Sequence, residues 1–394
     1  MPESESGIGD KEPRSLRQRP SRAVKVGTCT IGSSAPIAVQ SMCATKTANI
    51  EATLAQIHLL ECAGAHIIRI AVDNQRDVEA LQQIRKETAA NLVIDLQENF
   101  QLARAVAPLV QKLRYNPGHL HHSRHGMSIV DKVKFLVDIA GANSCALRIG
   151  VNFGSLDPAR KAQGKSREHS AVESALEHCE LVERCGFSSY VVSLKSSNPL
   201  AVVEINRRFA ALRPEVPLHL GVTEAGLPPE GIEKTRSALV PLLAEGIGDT
   251  LRVSLTLPDA EKDREVRAAY EIIEDAHTGR VSSAAPSRAP ALNVISCPSC
   301  SRVENQAFVS LAQHVKEALS DLADKPLTVA VMGCRVNGPG ETDEADIGLW
   351  CAPGFVNLKR GHELIGRFSY AEVIARMREE AEDVLRKKQA APEQ

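Results

Sequence analysis

The chain has 394 residues, 43% of them hydrophobic but only 3% aromatic, and its 47 Lys+Arg nearly balance 49 Asp+Glu. That length holds two or three domains with aliphatic cores, and the balanced charge argues against a general nucleic-acid or membrane-surface role. No apolar run approaches the roughly 18 residues of a membrane span, no apolar signal core opens the chain, and ten cysteines are too sparse for a disulfide scaffold; the expected location is cytoplasmic, where clustered thiols bind metal or do chemistry.

Residues 1–22 are polar and rich in Pro and Arg, with Glu3, Glu5, Asp10 and Glu12 mixed in. They read as a disordered head, too acidic for a transit peptide. From 23 to 277 short β-branched runs alternate with amphipathic stretches. The predicted strands are Pro36–Met42, His66–Val72, Leu92–Gln97, Gln111–Tyr115, Cys145–Val151, Ser189–Lys195, Pro217–Val222 and Thr250–Leu255. A helical pattern follows each, most clearly at Asn49–Ala63 and Ser170–Cys185. Eight strand-then-helix units over that length predict an α/β fold of the (β/α)8 TIM-barrel type. Residues 278–291, small and proline-containing, read as a linker. A smaller α/β unit fills 292–394, with strands at Leu292–Ser296, Leu327–Met332, Asp346–Ala352 and Phe355–Leu358 and helices at Val303–Leu322 and Tyr370–Lys388.

Active sites of such barrels lie at the C-terminal ends of the strands. Here those ends are polar: Arg69, Asp95 with Gln97, Arg114 with Asn116, Arg148 with Asn152, Ser193 with Lys195, His219 leading to Glu224, and Arg252 with Ser254. A spacing of two places both members of such a pair on one strand face. Five cations from five strands, Arg69, Arg114, Arg148, Lys195 and Arg252, call for an anion, because burying them alone is unfavourable. Arginine forks match phosphate oxygens, so a phosphorylated small molecule is the natural counter-charge. The plainer reading makes some of them structural partners of barrel acids. Glu224, in Gly-Val-Thr-Glu-Ala-Gly, is the acid/base candidate, against a helix N-terminal carboxylate. His119, His121, His122 and His125 read as a polar active-site loop rather than a metal site.

In the small unit Cys297-Pro-Ser-Cys300 is followed, after 33 intervening residues, by Cys334 in Gly-Cys-Arg-Val-Asn-Gly-Pro-Gly-Glu341. A lone CxxC suits zinc, a dithiol switch or a cluster. A zinc knuckle wants a fourth Cys or His, and neither lies within five residues of Cys334. Three thiolates with one oxygen ligand, Glu341, suit an iron–sulfur cluster with one exchangeable iron. Cys351 competes as fourth ligand but sits in an apolar strand, and Cys29, Cys43, Cys62, Cys145, Cys179 and Cys185 read as core residues.

These residues fall in motifs that resemble those of the 4-hydroxy-3-methylbut-2-enyl diphosphate synthase family, iron–sulfur enzymes of the methylerythritol phosphate route to isoprenoids. The motifs are Pro36-Ile-Ala-Val-Gln-Ser-Met42, Arg114-x-Asn-Pro-Gly118, Arg148-Ile-Gly-Val-Asn152, His219-Leu-Gly-Val-Thr-Glu-Ala-Gly226, Glu245-Gly-Ile-Gly-Asp-Thr-Leu-Arg-Val-Ser254, Cys297-Pro-x-Cys-Ser-Arg302 and Gly333-Cys-x-Val-Asn-Gly-Pro-Gly-Glu341. They run from about residue 23 to the closing helix, the extent of the two-domain bacterial form.

The resemblance implies that two electrons and a proton open the ring of 2-C-methyl-D-erythritol 2,4-cyclodiphosphate and expel the C3 oxygen as water. It implies a [4Fe–4S] cluster on Cys297, Cys300, Cys334 and Glu341, with Glu341 yielding its iron to the substrate oxygen. By the same carry-over Arg69, Arg114, Arg148, Lys195, Arg252 and Ser254 hold the diphosphate, joined at the substrate by Asp95, Asn116 and His219. Glu224 becomes the acid/base group, with Asn152 and Asn337 as polar helpers. Reduced flavodoxin or ferredoxin is the implied electron donor. A homodimer is implied too, the cluster domain of one chain closing over the barrel of the other. Two departures stand out: Gln97 where the family usually has His, and Asn49 where it usually has Asp. A phosphoryl-ligand sensor remains the alternative outside catalysis. A pterin-synthase-like transferase shares the anion-lined barrel but leaves the thiols without a purpose.

Overall fold

A computed structural model of the chain describes residues 18–96, 99–120, 126–157, 164–280, 291–334, 336 and 338–390. Strands β1 (Val24–Val26) and β2 (Cys29–Ile31) form an antiparallel hairpin. Eight parallel strands follow: β3 (Ala38–Met42), β4 (Ile67–Ala71), β5 (Leu92–Asp95), β6 (Lys112–Tyr115), β7 (Ala146–Asn152), β8 (Tyr190–Lys195), β9 (His219–Leu220) and β10 (Thr250–Leu251). Their order is β8-β7-β6-β5-β4-β3-β10-β9, and a parallel bridge from Val192 to Leu218 closes the ring. All eight predicted strands are present; seven are shorter than their apolar runs, and β7 keeps its length but is shifted by one residue.

The two-residue period of the strands divides their side chains. Outward members such as Val39, Ile68, Ile94, Leu113, Leu147 and Val192 join the helices in the main core. Inward members at the strand starts, Ala38, Ile67, Val93, Ala146 and Val191, pack on Val24, Val26 and Ile31 of the hairpin. The hairpin thus stoppers the N-terminal end of the barrel. One more step along each strand puts Arg69, Asp95, Arg114, Arg148 and Ser193 on the inward face, now at the C-terminal end. The register sets Asp95, Arg114 and Arg148 abreast on three neighbouring strands.

The second unit is a five-stranded sheet ordered β11-β12-β13-β14-β15. It comprises β11 (Asn293–Ser296), β12 (Thr328–Met332), β13 (Ile347–Cys351), β14 (Val356–Arg360) and β15 (Glu363–Phe368). The first three run parallel and the last two return antiparallel. Helices Ala307–Ala318 and Val373–Ala390 supply Phe308, Leu311, Met377 and Ala381 to its core, which also takes in Met42 and Ala71 of the barrel.

Three readings need correction. Residues 19–22 are packed rather than disordered: Arg19 donates to the Val216 carbonyl at 2.7 Å and Ser21 Oγ to Asp249 at 2.5 Å. Cys62 and Cys185 are exposed and Cys29 is only partly buried, because each stands at the edge of its apolar run. The predicted helix Val303–Leu322 is α-helical only at Ala307–Ala318, with a 3-10 turn at Ser320–Leu322; it starts late because Val303 is held to Cys334 by an antiparallel bridge. Asn49, one of the departures, is the N-cap of helix Ile50–Cys62, its side chain accepting from the Ala52 N–H at 3.2 Å. Asp and Asn cap about equally well, so that exchange is structurally neutral. Residues 1–17 of the head, Gln97, His121, His122, His125, Asn337 and most of the linker lie outside the described residues.

Candidate functional site

One cavity lies where the mouth of the barrel meets the small unit. Arg69, Asp95, Arg114, Arg148, Asn152, Lys195, Glu224, Arg252 and Ser254 line it from the barrel, and Cys297, Cys300 and Cys334 from the other side. All five cations expected from separate strands converge there. They are held close: Arg114 Nη1 donates to Asp95 at 2.8 Å and Arg114 Nη2 to the Gly150 carbonyl at 3.0 Å. Arg252 Nη2 stands 3.5 Å from Glu265. Those two ion pairs bear out part of the plainer reading, but they leave an excess of positive charge. Among the described residues Arg148 Nε and Nη1 and Arg252 Nε and Nη2 are buried with no hydrogen-bond partner. Burial and the surrounding arginines pull Lys195 and Arg148 well below their ordinary values. Burial pulls Arg69 down to about 9, with Asp95 opposing and Arg252, Arg114 and Arg302 adding to the fall. Such crowding is relieved by an anion.

Gly150 shows how tightly the cations are placed. A Cβ there would lie 2.4 Å from Arg114 Nε, so the Gly in Arg-Ile-Gly-Val-Asn makes room for the guanidinium of the next strand. Gly150→Ala is expected to push Arg114 off Asp95 and the carbonyl. Losing one charge-assisted contact of about 1.5–3 kcal/mol weakens pyrophosphate binding roughly 10- to 100-fold. Calorimetric titration checks this, and an unchanged affinity would remove Arg114 from the anion site.

Glu224 sits in the loop after β9 with a backbone φ of +47°, a left-handed conformation that costs a side-chain-bearing residue about 1–3 kcal/mol and clusters at functional sites. The next helix, Glu230–Ala244, is capped at Pro229, so Glu224 is not a helix N-terminal carboxylate. The loop is tied across: Ser296 N–H donates to the Glu224 carbonyl at 3.4 Å, and Ala225 bridges Ser296 in parallel.

Cys297, Cys300 and Cys334 are buried, unbridged, and face one another. Hydrogen bonds from the Cys297 and Cys334 thiols, with Arg302 beside it, hold the Cys300 thiol well below the ordinary cysteine range. Cys297 is raised in turn by the same contacts and Cys334 stands at about 12, as high as burial puts Cys43 and Cys351, so it is their mutual contact that sets the three facing thiols apart from core cysteines. The CxxC loop rests on the barrel. Thr256 Oγ1 donates to the Cys297 carbonyl at 2.9 Å, and Lys46 Nζ to the carbonyls of Ser301 and Val303 at 2.7 and 2.6 Å. The Leu257 N–H donates to Ser299 Oγ at 3.2 Å, with Ser299 itself at a φ of +46°. Here the small unit covers the mouth of its own barrel, whereas the resemblance implied closure over a partner's.

Other expected residues stand apart from the cavity lining. Glu341, in helix Gly338–Glu344, is buried against the barrel, with Ser197 Oγ 3.5 Å from its carboxylate. Burial and the charges of Glu224 and Glu344 push it well above the usual carboxylate range. Asn116 ties its own loop, donating to Ser155 Oγ at 2.7 Å and accepting from the Gly118 N–H at 3.1 Å. His219 is fully buried in the barrel, and burial with Lys195 and Arg148 holds it well below its ordinary value. Met42, Lys112 and Arg302 were given no role from sequence. Met42 Sδ accepts from Arg69 Nη2 at 2.8 Å. Lys112 is a fully buried amine on β6, one inward position below Arg114. Its i, i+2 spacing to Arg114 was the available signal; Met42 and Arg302 close two of the family motifs, and that membership was the signal for them.

Residues 21–270 match the family model described as the GcpE TIM-barrel domain, and residues 293–383 match the GcpE protein C-terminal domain. The chain belongs to the GcpE family. A relative from Rhodopirellula baltica, named 4-hydroxy-3-methylbut-2-en-1-yl diphosphate synthase (flavodoxin), is 56% identical over 376 residues, covering 95% of this chain and 98% of its own. Synthases with the same name from Azotobacter vinelandii and Nautilia profundicola are 41% and 37% identical, covering 85% and 93% of this chain and 85% and 98% of theirs. In this GcpE chain the two matched segments are the two sides of the cavity. Among its described residues no helix is long and apolar enough to cross a membrane.

Proposed function

We infer that this chain is a cytoplasmic 4-hydroxy-3-methylbut-2-enyl diphosphate synthase, which opens and dehydrates 2-C-methyl-D-erythritol 2,4-cyclodiphosphate by a two-electron reduction. The observation that carries the reading is one cavity with five cations on one wall and three cysteines on the other. A diphosphate answers the first and a redox centre the second. Neither a sensor nor a transferase needs both.

The donor set fits a [4Fe–4S] cluster. Three buried thiols converge and suit three of its irons, while Glu341, the fourth ligand by family resemblance, follows in the helix after Cys334 but lies against Ser197, outside the cavity lining. Among the described residues no three His, Cys, Asp or Glu side chains are placed to hold a single metal ion; in a cluster each thiolate takes a separate iron. When bound, the cluster would relay the two electrons one at a time from an external donor, and the relatives' name supports flavodoxin as that donor. Arg69, Arg114, Arg148, Lys195, Arg252 and Ser254 hold the diphosphate and fix the ring. Glu224 carries the proton that leaves with the C3 oxygen as water, with Asn152 orienting beside it. Asp95 holds Arg114 in place. The small unit over the mouth keeps bulk water from the reduced site. Family resemblance supports the homodimer.

The test is an anaerobic assay of reconstituted protein with the cyclodiphosphate and dithionite-reduced viologen, then reduced flavodoxin. Iron-dependent formation of the hydroxybutenyl diphosphate is expected. No product from protein with a full cluster would favour a phosphoryl-ligand sensor.

A further inference from the structure

We propose that Arg302 is a positioning residue that couples the seating of the cysteine loop to diphosphate binding, by sharing one carboxylate with Arg114. The proposal deepens the function above and rests on the barrel mouth being a diphosphate site.

Arg302 lies two residues beyond Cys300, yet its whole guanidinium is spent on the barrel. Nη1 donates to Asp95 Oδ2 at 2.9 Å and Nη2 to the Asp95 carbonyl at 2.9 Å. Nε and Nη2 both donate to Asp73 Oδ1, at 3.0 and 2.7 Å. The other oxygen of Asp95 accepts from Arg114 Nη1 at 2.8 Å. Side-chain exposure is 4% for Arg302 and 3% for Asp95, so these charges meet with little water to screen them.

A carboxylate between two guanidiniums divides its charge. With the loop seated, Arg302 takes part of Asp95, and Arg114 keeps more of its positive potential for an anion. With the loop lifted, Asp95 turns its full charge on Arg114 and competes with phosphate. Seating therefore raises anion affinity, and by reciprocity an anion favours seating. The pattern recurs at a second cation. Lys262 Nζ donates to the Pro298 carbonyl at 3.1 Å and to Glu265 Oε1 at 2.5 Å, and Glu265 Oε2 lies 3.5 Å from Arg252.

The experiment titrates inorganic pyrophosphate into the full chain by calorimetry. It also follows hydrogen exchange in peptides spanning Leu257, whose N–H bonds to Ser299 Oγ only when the loop is seated. In the unsubstituted protein pyrophosphate is expected to bind and to slow that exchange. Arg302→Gln should weaken binding about tenfold, inside the roughly 5- to 150-fold range of couplings between sites, and abolish the slowing. Arg302→Lys should recover part of both. Asp73→Asn, a change outside the cavity that spares the Asp95 contacts, should give a smaller loss of both and covers the case in which Arg302→Gln does not fold. Unchanged pyrophosphate affinity in the folded variants would overturn the proposal. So would weakened affinity with the Leu257 response intact, since charge alone would then explain it. Failure of the unsubstituted protein to bind pyrophosphate would remove the diphosphate reading itself; binding there with no effect of Arg302 or Asp73 would sink only the coupling.

Discussion

Cys334→Ser is expected to bring reductive turnover to background and to cut iron after reconstitution, while the protein stays folded. The side chain is buried at the junction of the two units, and its sulfur accepts the Val336 N–H at 3.4 Å. Serine has nearly the same volume and keeps that acceptor, so packing changes little. What it removes is the soft thiolate that iron prefers. Loss of a ligand should exceed the roughly 10- to 100-fold penalty of losing a ligand's hydrogen-bonding partner. Cys351→Ser is the control. That thiol sits in β13, packed in the core of the small unit and outside the cavity lining, so full iron content is expected. The measurement is iron and acid-labile sulfide per chain together with the anaerobic assay. Equal iron in Cys334→Ser and the unsubstituted protein would remove Cys334 from the ligand set; iron loss in Cys351→Ser would put that residue in it.

The barrel was legible because its strands carry two signals at once. Outward positions are aliphatic and meet the helices; inward positions change from apolar to charged or polar along several strands, as from Ile67 to Arg69, Val93 to Asp95, Ala146 to Arg148 and Val191 to Ser193. That change marks both the topology and the end that works. The hairpin β1–β2 was missed because three-residue strands around Gly27-Thr28 carry too little pattern to register. β15 was missed because it is a half-exposed edge strand, Glu-Leu-Ile-Gly-Arg-Phe, with no consistent buried face. At the site, residue types pointed to members but not to pairings. Asp95 reads as one more polar strand end. Only the fold shows its two oxygens given to arginines of different units. Glu341 was placed with the thiols by spacing along the chain, whereas the structure sets it against Ser197 and under the influence of Glu224. Contacts 144 and 207 residues apart in sequence leave no local trace.

Glu224→Gln is expected to lower kcat by roughly 10²–10⁴, the usual contribution of a positioned acid or base, with iron content and pyrophosphate affinity within about twofold of normal. The amide keeps the shape and tolerates the same φ of +47°, and the Ser296 bond goes to the backbone carbonyl, so the loop should hold. A proton donor is lost and little else. The like-charge effect of Glu224 on Glu341 is lost too, which relieves rather than strains the site. The split between kcat and anion affinity decides among roles. A loss of pyrophosphate binding equal to the loss of kcat would make Glu224 part of the architecture that positions the cations. A fall in kcat below about tenfold would move the proton to another group, and Asn152 with an ordered water would be the next place to look. A large kcat effect with anion binding and iron intact is the outcome that a general acid requires. It would also explain why a strained, buried carboxylate is kept in a cavity built otherwise from positive charge.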